Sequence, residues 1–134
     1  MKLTDGNKGR LKPNLVRPLK IEIRESKWGY GVFATEFIEN GEIIEEAVIF
    51  ADNISPKLKA MKNYRFKGYN PKTHGYCYKI VGGALSLVNQ STDNSNCLVS
   101  QNEEWERVAY LKATKDIQPG EELLWTYGAI KDRI

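Results

Sequence analysis

The chain has a single histidine, His74, and only two cysteines, Cys77 and Cys97, which lack the C-x-x-C spacing. Zinc sites need several Cys or His ligands, and the cysteines usually come in closely spaced pairs. The sequence therefore predicts no metal site built within this chain. So few cysteines also favour a reducing, intracellular setting, although one disulfide stays compatible with the count.

Long apolar runs are also missing. No stretch of about 18 apolar residues occurs, so no transmembrane helix and no membrane partner are expected. The first 20 residues are basic and contain no apolar segment, so a secretory signal is not expected either. The net charge of +3 is mildly basic, which suits an acidic or nucleic-acid-proximal partner without requiring one, and direct nucleic-acid binding is not expected.

What the chain does contain suits one globular domain. It has 134 residues, of which 41% are hydrophobic and 28% charged, enough for one core but not for two. Residues 1–16 are polar, basic and rich in glycine and asparagine, which predicts a flexible basic N-terminal arm. The domain is then predicted to span residues 17–134.

Short runs of alternating or β-branched residues dominate this domain and predict a mainly β fold with little helix. Strands are predicted over residues 19–24, 32–34, 43–50, 76–81, 104–113 and 124–128. Asn40-Gly41 and Pro119-Gly120 are strong turn signals. Gly29 and Gly31 are expected to form a tight turn between strands.

Two stretches allow other conformations. Residues 56–64 are compatible with a short basic helix capped by Ser55. The apolar run Leu85–Val88 indicates either a buried strand or one buried turn. The polar run Asn89–Asn96 that follows it is expected to be a loop, because Asn, Asp and Ser side chains compete for backbone hydrogen bonds.

Several acidic side chains are candidates for a groove that accepts a basic partner. Most are expected on solvated faces instead, since charged runs usually are. They are Glu39, Glu42, Glu45, Glu46, Glu103, Glu104 and Glu106.

Three motifs occur in order along the chain: GYGVFA at residues 29–34, NQS followed by NC at residues 89–97, and GEEL followed by tyrosine at residues 120–127. Together they resemble the SET domain of protein-lysine methyltransferases, over about residues 18–128. The resemblance implies a β-clip-like fold of several small curved sheets. In this fold the Asn89 segment and the Tyr127 segment meet in a C-terminal pseudoknot.

The resemblance also implies methyl transfer from S-adenosylmethionine to the side-chain amine of a protein lysine, with a histone tail as one candidate substrate. The alternative is an inactive SET-like module that binds a cofactor or a protein. By resemblance, Tyr127 and Tyr76 are the catalytic candidates, and Trp125 and Tyr78 are expected to line the lysine channel. The expected cofactor-binding residues are Lys27, Trp28, Gly29, Tyr30, Asn89, Gln90 and Tyr127.

The chain departs from the family pattern at four places. Gln90 stands where the family usually has histidine, Ser95 replaces a common proline in a loop one residue longer, and Trp125 replaces Phe or Tyr. The three-cysteine segment that often follows the domain and binds zinc is absent, so a homodimer is one way to cover the lysine site. A SET domain with so few flanking residues suggests a cytoplasmic protein of a bacterium or phage, or a host-nuclear protein of viral or eukaryotic origin.

The remaining motif residues are expected to have structural roles. Asn96 and Cys97 close the second motif, and Glu121 and Glu122 flank the last turn. A structural rather than catalytic role is predicted for Asn96 and Cys97, and structural hydrogen bonding is predicted for Glu121 and Glu122.

Overall fold

The computed structural model describes residues 11–54, 65–70 and 75–126. Within them lie nine β-strands and one short 3-10 helix, Ala84–Leu87. The strands are β1 Ile21–Ser26, β2 Gly29–Ala34, β3 Ile43–Ile54, β4 Arg65–Asn70, β5 Gly75–Val81, β6 Asn89–Gln90, β7 Cys97–Gln101, β8 Val108–Ala113 and β9 Leu124–Trp125. The predicted helix over residues 56–64 lies outside the described residues.

The strands form three sheets. β1 and β2 are an antiparallel hairpin, β6 and β9 are a parallel pair, and the largest sheet has the strand order β4-β5-β3-β8-β7. β3 is the long central strand of that sheet, and its register shifts between Ile49 and Ala51 and again before Ile54. Such irregularities bend a strand, so the sheets curl. The predicted mainly β fold of small curved sheets is confirmed.

The β1–β2 hairpin corrects the predicted glycine turn. Gly29 pairs with Ser26 inside the hairpin, so the turn is at Lys27-Trp28 and both glycines belong to β2. A Cβ on Gly31 would lie 2.6 Å from Glu122 Oε2. Gly31 is therefore needed for the close approach of the C-terminal segment and not for a turn.

The two strongest turn signals are confirmed. Gly41 and Gly120 have φ angles of 91° and 89°, a region that side chains disfavour. The segment around the Pro119-Gly120 turn is bonded to β2. Gly120 N–H donates to Ala34 O at 2.8 Å, and Leu123 N–H donates to Val32 O at 2.8 Å.

Other boundaries differ from the predictions. The strand predicted over residues 104–113 begins only at Val108, and β7 was not predicted at all. Of the two conformations predicted for Leu85–Val88, the buried turn is the one observed, because the chain forms a 3-10 helix there. The predicted strand over residues 124–128 is observed as β9, and residues 127–128 lie outside the described part of the chain.

The buried apolar side chains of the described residues form one core cluster, with members from all three sheets. Its largest fully buried side chains are Trp125, Ile38, Leu85, Leu111, Ile117, Leu123, Val32 and Val99. They come from both ends of the sequence, so the C-terminal segment is an integral part of the core.

The described part of the predicted N-terminal arm contacts this core structure. Glu46 of β3 forms an ion pair with Lys12 and accepts a hydrogen bond from Val16 N–H at 3.0 Å. Glu46 N–H in turn donates to Val16 O at 3.0 Å. Lys12 and Val16 thus contact β3 at Glu46, whereas residues 1–10 of the predicted arm are outside the described residues.

Candidate functional site

The second and third motifs meet where β6 pairs with β9. Asn89 lies opposite Leu124 and Gln90 lies opposite Trp125 in parallel register, and Ser91 N–H donates to Trp125 O at 2.9 Å. Asn and Gln have low intrinsic strand preference, so this short strand owes its shape to the distant β9. The loop predicted over residues 89–96 is corrected for its first two residues.

Asn96 holds this junction together. Its Nδ2 donates to Glu122 O at 2.9 Å, and its Oδ1 accepts from Leu124 N–H at 2.9 Å. The Asn96 backbone N–H also donates to Leu124 O at 2.8 Å. The side chain is 6% exposed. The structural role predicted for Asn96 is confirmed.

Cys97 is a buried free thiol beside the same segment. Its Sγ–H donates to Leu124 O at 3.2 Å, and burial raises the thiol pKa to about 12. A thiol that stays protonated at neutral pH is a poor nucleophile. Cys97 therefore has the structural role predicted for it, and it takes part in no disulfide.

Asn89 connects the junction to the hairpin. Its Nδ2 lies 2.9 Å from Glu122 Oε2, 3.2 Å from Tyr30 O and 3.3 Å from Ser26 Oγ. These contacts fix the plane of the Asn89 carboxamide relative to β2. They also give Glu122 the hydrogen-bonding role predicted for it.

The hairpin next to Asn89 carries two uncovered aromatic rings. Trp28 is 54% exposed and Tyr30 is 70% exposed. Lys27 Nζ lies 4.4 Å from the centre of the Trp28 ring, so the end of the hairpin combines aromatic faces with a cation. Exposed rings of this kind can stack on a planar base or attract a cationic group.

The structure therefore brings together most of the predicted cofactor-binding set. Lys27, Trp28, Gly29 and Tyr30 lie on the hairpin, and the Asn89 side chain contacts the backbone of Tyr30. Gln90 follows in β6 with an exposed side chain.

The predicted catalytic and channel residues are described only in part. Tyr127 lies outside the described residues. Tyr76 and Tyr78 are on β5, opposite Tyr69 and Lys67 of β4; only their backbone positions are described. Their roles stay predictions.

Trp125 lies in the core, 1% exposed. Its ring is tilted against Phe66 of β4, with ring centres 5.1 Å apart. The indole is thus fixed by packing between β9 and the sheet that contains β5. Its role as a channel wall stays a prediction.

Sequence reasoning missed two buried carboxylates. Glu45 and Glu46 were expected on solvated faces, but they are 4% and 8% exposed. Glu45 accepts hydrogen bonds from two backbone amides of the 3-10 helix, at 2.7 Å and 3.1 Å, and burial raises its pKa. The available signal was their position inside the apolar run of residues 43–50.

The described residues contain neither a metal-binding cluster nor a membrane-spanning helix. Among residues 11–54, 65–70 and 75–126, no group of three or more His, Cys, Asp or Glu residues is arranged to hold a metal ion. In the same part of the chain, no helix has the length and apolar character needed to cross a membrane.

Comparison with protein families gives a match to the SET domain over residues 29–128. This range contains all three motifs and the β6–β9 junction. No curated protein is significantly similar in sequence.

Three solved structures illustrate the similarity. A Plasmodium falciparum protein assigned as a histone methyltransferase has 27% sequence identity and a TM-score of 0.61, covering 81% of this chain and 97% of its own. The methyltransferase domain of human PR domain-containing protein 2 has 25% identity and a TM-score of 0.63, covering 82% of this chain and 78% of its own. A humanized mutant of Chaetomium thermophilum Polycomb Repressive Complex 2 has 26% identity and a TM-score of 0.59, covering 81% of this chain and 15% of its own.

Proposed function

The chain belongs to the SET-domain family, and we propose that it is a protein-lysine methyltransferase that uses S-adenosylmethionine. Family membership and the solved methyltransferase structures support a methyltransferase. The observation that carries the finer proposal is the grouping of Lys27, Trp28, Tyr30 and Asn89 beside the β6–β9 junction.

These residues fit S-adenosylmethionine by chemical type. The exposed rings of Trp28 and Tyr30 suit a planar adenine or a cationic sulfonium. Lys27 offers a cation to the carboxylate of the cofactor, and the Asn89 carboxamide offers a polar group to its amino-acid end. When bound, S-adenosylmethionine supplies an activated methyl group on a positively charged sulfur.

The chain's own task is then to align the acceptor lysine and keep its amine neutral. Methyl transfer is an in-line displacement, which depends strongly on alignment. An amine in an apolar channel near a positive charge has a lowered pKa, because both effects disfavour its protonated form. Tyr76, Tyr78, Trp125 and Tyr127 are proposed to form this channel.

Tyr127 is proposed to orient the lysine amine with its hydroxyl, as the position of this residue in the third motif suggests. The junction that precedes it is rigid, since Asn96 and Ser91 hydrogen-bond to the backbone of Leu124 and Trp125. The strand β9, which ends two residues before Tyr127, is therefore held in place. A protein substrate such as a histone tail is proposed from the solved relatives, and a homodimer stays a proposal for covering the lysine site.

The test measures transfer of radiolabelled methyl groups from S-adenosylmethionine to a panel of histones and lysate proteins. Wild type is compared with Tyr127→Phe and with the control Tyr110→Phe on β8, and calorimetry measures cofactor binding by each. We expect Tyr127→Phe to lower transfer by about a hundredfold or more, the scale on which misalignment acts, while the control retains it.

Three results would count against the proposal. Failure of the wild type to bind S-adenosylmethionine would contradict the proposed cofactor. Binding without transfer to any substrate in the panel would favour an inactive module. Equal losses in Tyr127→Phe and Tyr110→Phe would contradict the role given to Tyr127.

A further inference from the structure

Glu45 is a buried carboxylate whose hydrogen-bond donors are backbone amides. Its Oε1 accepts from Leu85 N–H at 2.7 Å and its Oε2 accepts from Ala84 N–H at 3.1 Å. Both donors belong to the first turn of the 3-10 helix, where amides have no partner within the helix. The carboxylate of a central strand thus holds the start of this helix.

The backbone before the helix is shaped around the same carboxylate. Gly83 has a φ angle of 82°, and a Cβ at this position would lie 2.7 Å from Glu45 Oε2. Only glycine combines this conformation with so close an approach. The chain therefore enters the helix in a position that Glu45 determines.

The helix leads directly into the candidate site. Leu85 is fully buried and Val88 is 6% exposed, and Val88 N–H donates to Leu85 O at 3.3 Å. The next residue is Asn89, whose side chain contacts the hairpin. A shift at the start of the helix would therefore reach Asn89 within five residues.

We propose that Glu45 is a positioning residue for the cofactor site, acting through the 3-10 helix on Asn89 and Gln90. This inference rests on the proposed function for the ligand it names. The contacts that carry it belong to the fold and can be tested without the ligand.

The neighbouring residue provides a matched control. Glu46 lies on the same strand and is similarly buried, at 8% against 4% exposure for Glu45. Its partners are Lys12 and Val16 of the N-terminal segment. Glu46→Gln therefore perturbs a buried carboxylate of β3 without touching a contact of the 3-10 helix.

The ligand-free test compares hydrogen exchange of the backbone amides of residues 89–91 in wild type, Glu45→Gln and Glu46→Gln. Glutamine keeps the size of Glu45, but its single carbonyl oxygen cannot replace both acceptor oxygens. We expect Glu45→Gln to speed exchange at these amides by about tenfold, equivalent to loss of one hydrogen bond. Glu46→Gln should leave exchange there within about twofold of wild type.

The second readout is the dissociation constant for S-adenosylmethionine, measured by calorimetry on the same folded proteins. Glu45→Gln should raise it by about tenfold, whereas Glu46→Gln should leave it nearly unchanged. Gly83→Ala forces a methyl group against Glu45. It should also speed exchange at residues 89–91 and raise the dissociation constant, and it replaces Glu45→Gln as the test if that variant fails to fold.

The two proposals fail differently. No binding by the wild type would contradict the proposed function and with it the cofactor role of Glu45, while the exchange data would still decide whether Glu45 positions residues 89–91. Binding that Glu45→Gln leaves unchanged would overturn the positioning role alone. Equal effects of Glu45→Gln and Glu46→Gln on exchange would reduce Glu45 to a general contributor to stability, which also overturns the inference.

Discussion

The β6–β9 junction, which includes Asn89, and the end of the β1–β2 hairpin, which the Asn89 side chain contacts, are built in opposite ways. At the junction, Asn96 and Trp125 are 6% and 1% exposed, and hydrogen bonds join the two chain segments. At the hairpin, Trp28 and Tyr30 are 54% and 70% exposed. The junction is buried and hydrogen-bonded, whereas the aromatic rings at the end of the hairpin are exposed.

The contacts between the two regions show how such a surface is kept in place. Asn89 Nδ2 contacts Tyr30 O from the junction side. The hairpin is also bonded to the C-terminal segment, since Leu123 N–H donates to Val32 O at 2.8 Å and Arg24 donates to Gly120 O at 3.3 Å. The exposed rings therefore project from a hairpin whose backbone is tethered to the core, an arrangement that limits the entropy lost when a ligand binds.

The largest loss of stability should come from Asn96→Ala at the junction. This substitution removes both hydrogen bonds of the Asn96 side chain. The Glu122 carbonyl and the Leu124 amide would lose their partner at a largely buried site. Each such loss costs about 1–3 kcal/mol, so we expect destabilisation by about 2–6 kcal/mol in urea unfolding.

Asn94→Ala is the matched control, because Asn94 belongs to the same loop and is exposed. Its side chain should contribute less than about 0.5 kcal/mol. Similar losses in the two variants would show that the junction is not held by Asn96.

A second effect concerns the Cys97 thiol, which should react slowly in the folded protein. In a Cys77→Ser background, we expect Cys97 to be labelled by a disulfide reagent at pH 8 at least about a hundredfold more slowly than in urea, because reaction requires opening of the core. Labelling at the rate of a free thiol would contradict a closed junction.

The burial of Cys97 also sets the direction in which protein stability changes with pH. The folded-state pKa of Cys97 is raised to about 12, so the folded protein holds the thiol proton more tightly than the unfolded chain. The resulting contribution to stability is complete below the ordinary pKa of a thiol and is lost as the pH rises toward 12. Cys97→Val should remove this part of the alkaline dependence.

The smallest effect on stability is expected at the hairpin. Tyr30→Ala should change the free energy of unfolding by less than about 0.5 kcal/mol, since its ring is mostly exposed. Phe50→Ala is a close control because Phe50 on β3 is also 70% exposed. A loss of several kcal/mol in Tyr30→Ala alone would show that the ring is part of the fold and not a free surface.

Local signals in the sequence predicted much of the fold. Asn40-Gly41 and Pro119-Gly120 form the expected turns, with positive φ at Gly41 and Gly120, because their conformations depend on neighbouring residues. The alternating run that contains β1 was predicted for the same reason. Pairings between distant segments were harder, and β6 shows why: Asn89 and Gln90 become a strand only because β9 lies beside them.

The motifs predicted where the candidate site lies, but not which carboxylates near it are buried. The motifs located the hairpin and Asn89, which the fold brings into contact. The motifs did not predict that Glu45 and Glu46 are buried. Their burial depends on a backbone donor of the 3-10 helix for Glu45 and on the N-terminal segment for Glu46. Burial of a charged residue is decided by partners far away in sequence.

The most direct test of the account is calorimetric titration of S-adenosylmethionine into wild type, Tyr30→Ala and Phe50→Ala. If the hairpin rings bind the cofactor, the dissociation constant should rise by about tenfold or more in Tyr30→Ala and stay within about twofold in Phe50→Ala. Equal affinities for all three proteins would contradict the assignment of the exposed hairpin surface as the cofactor site.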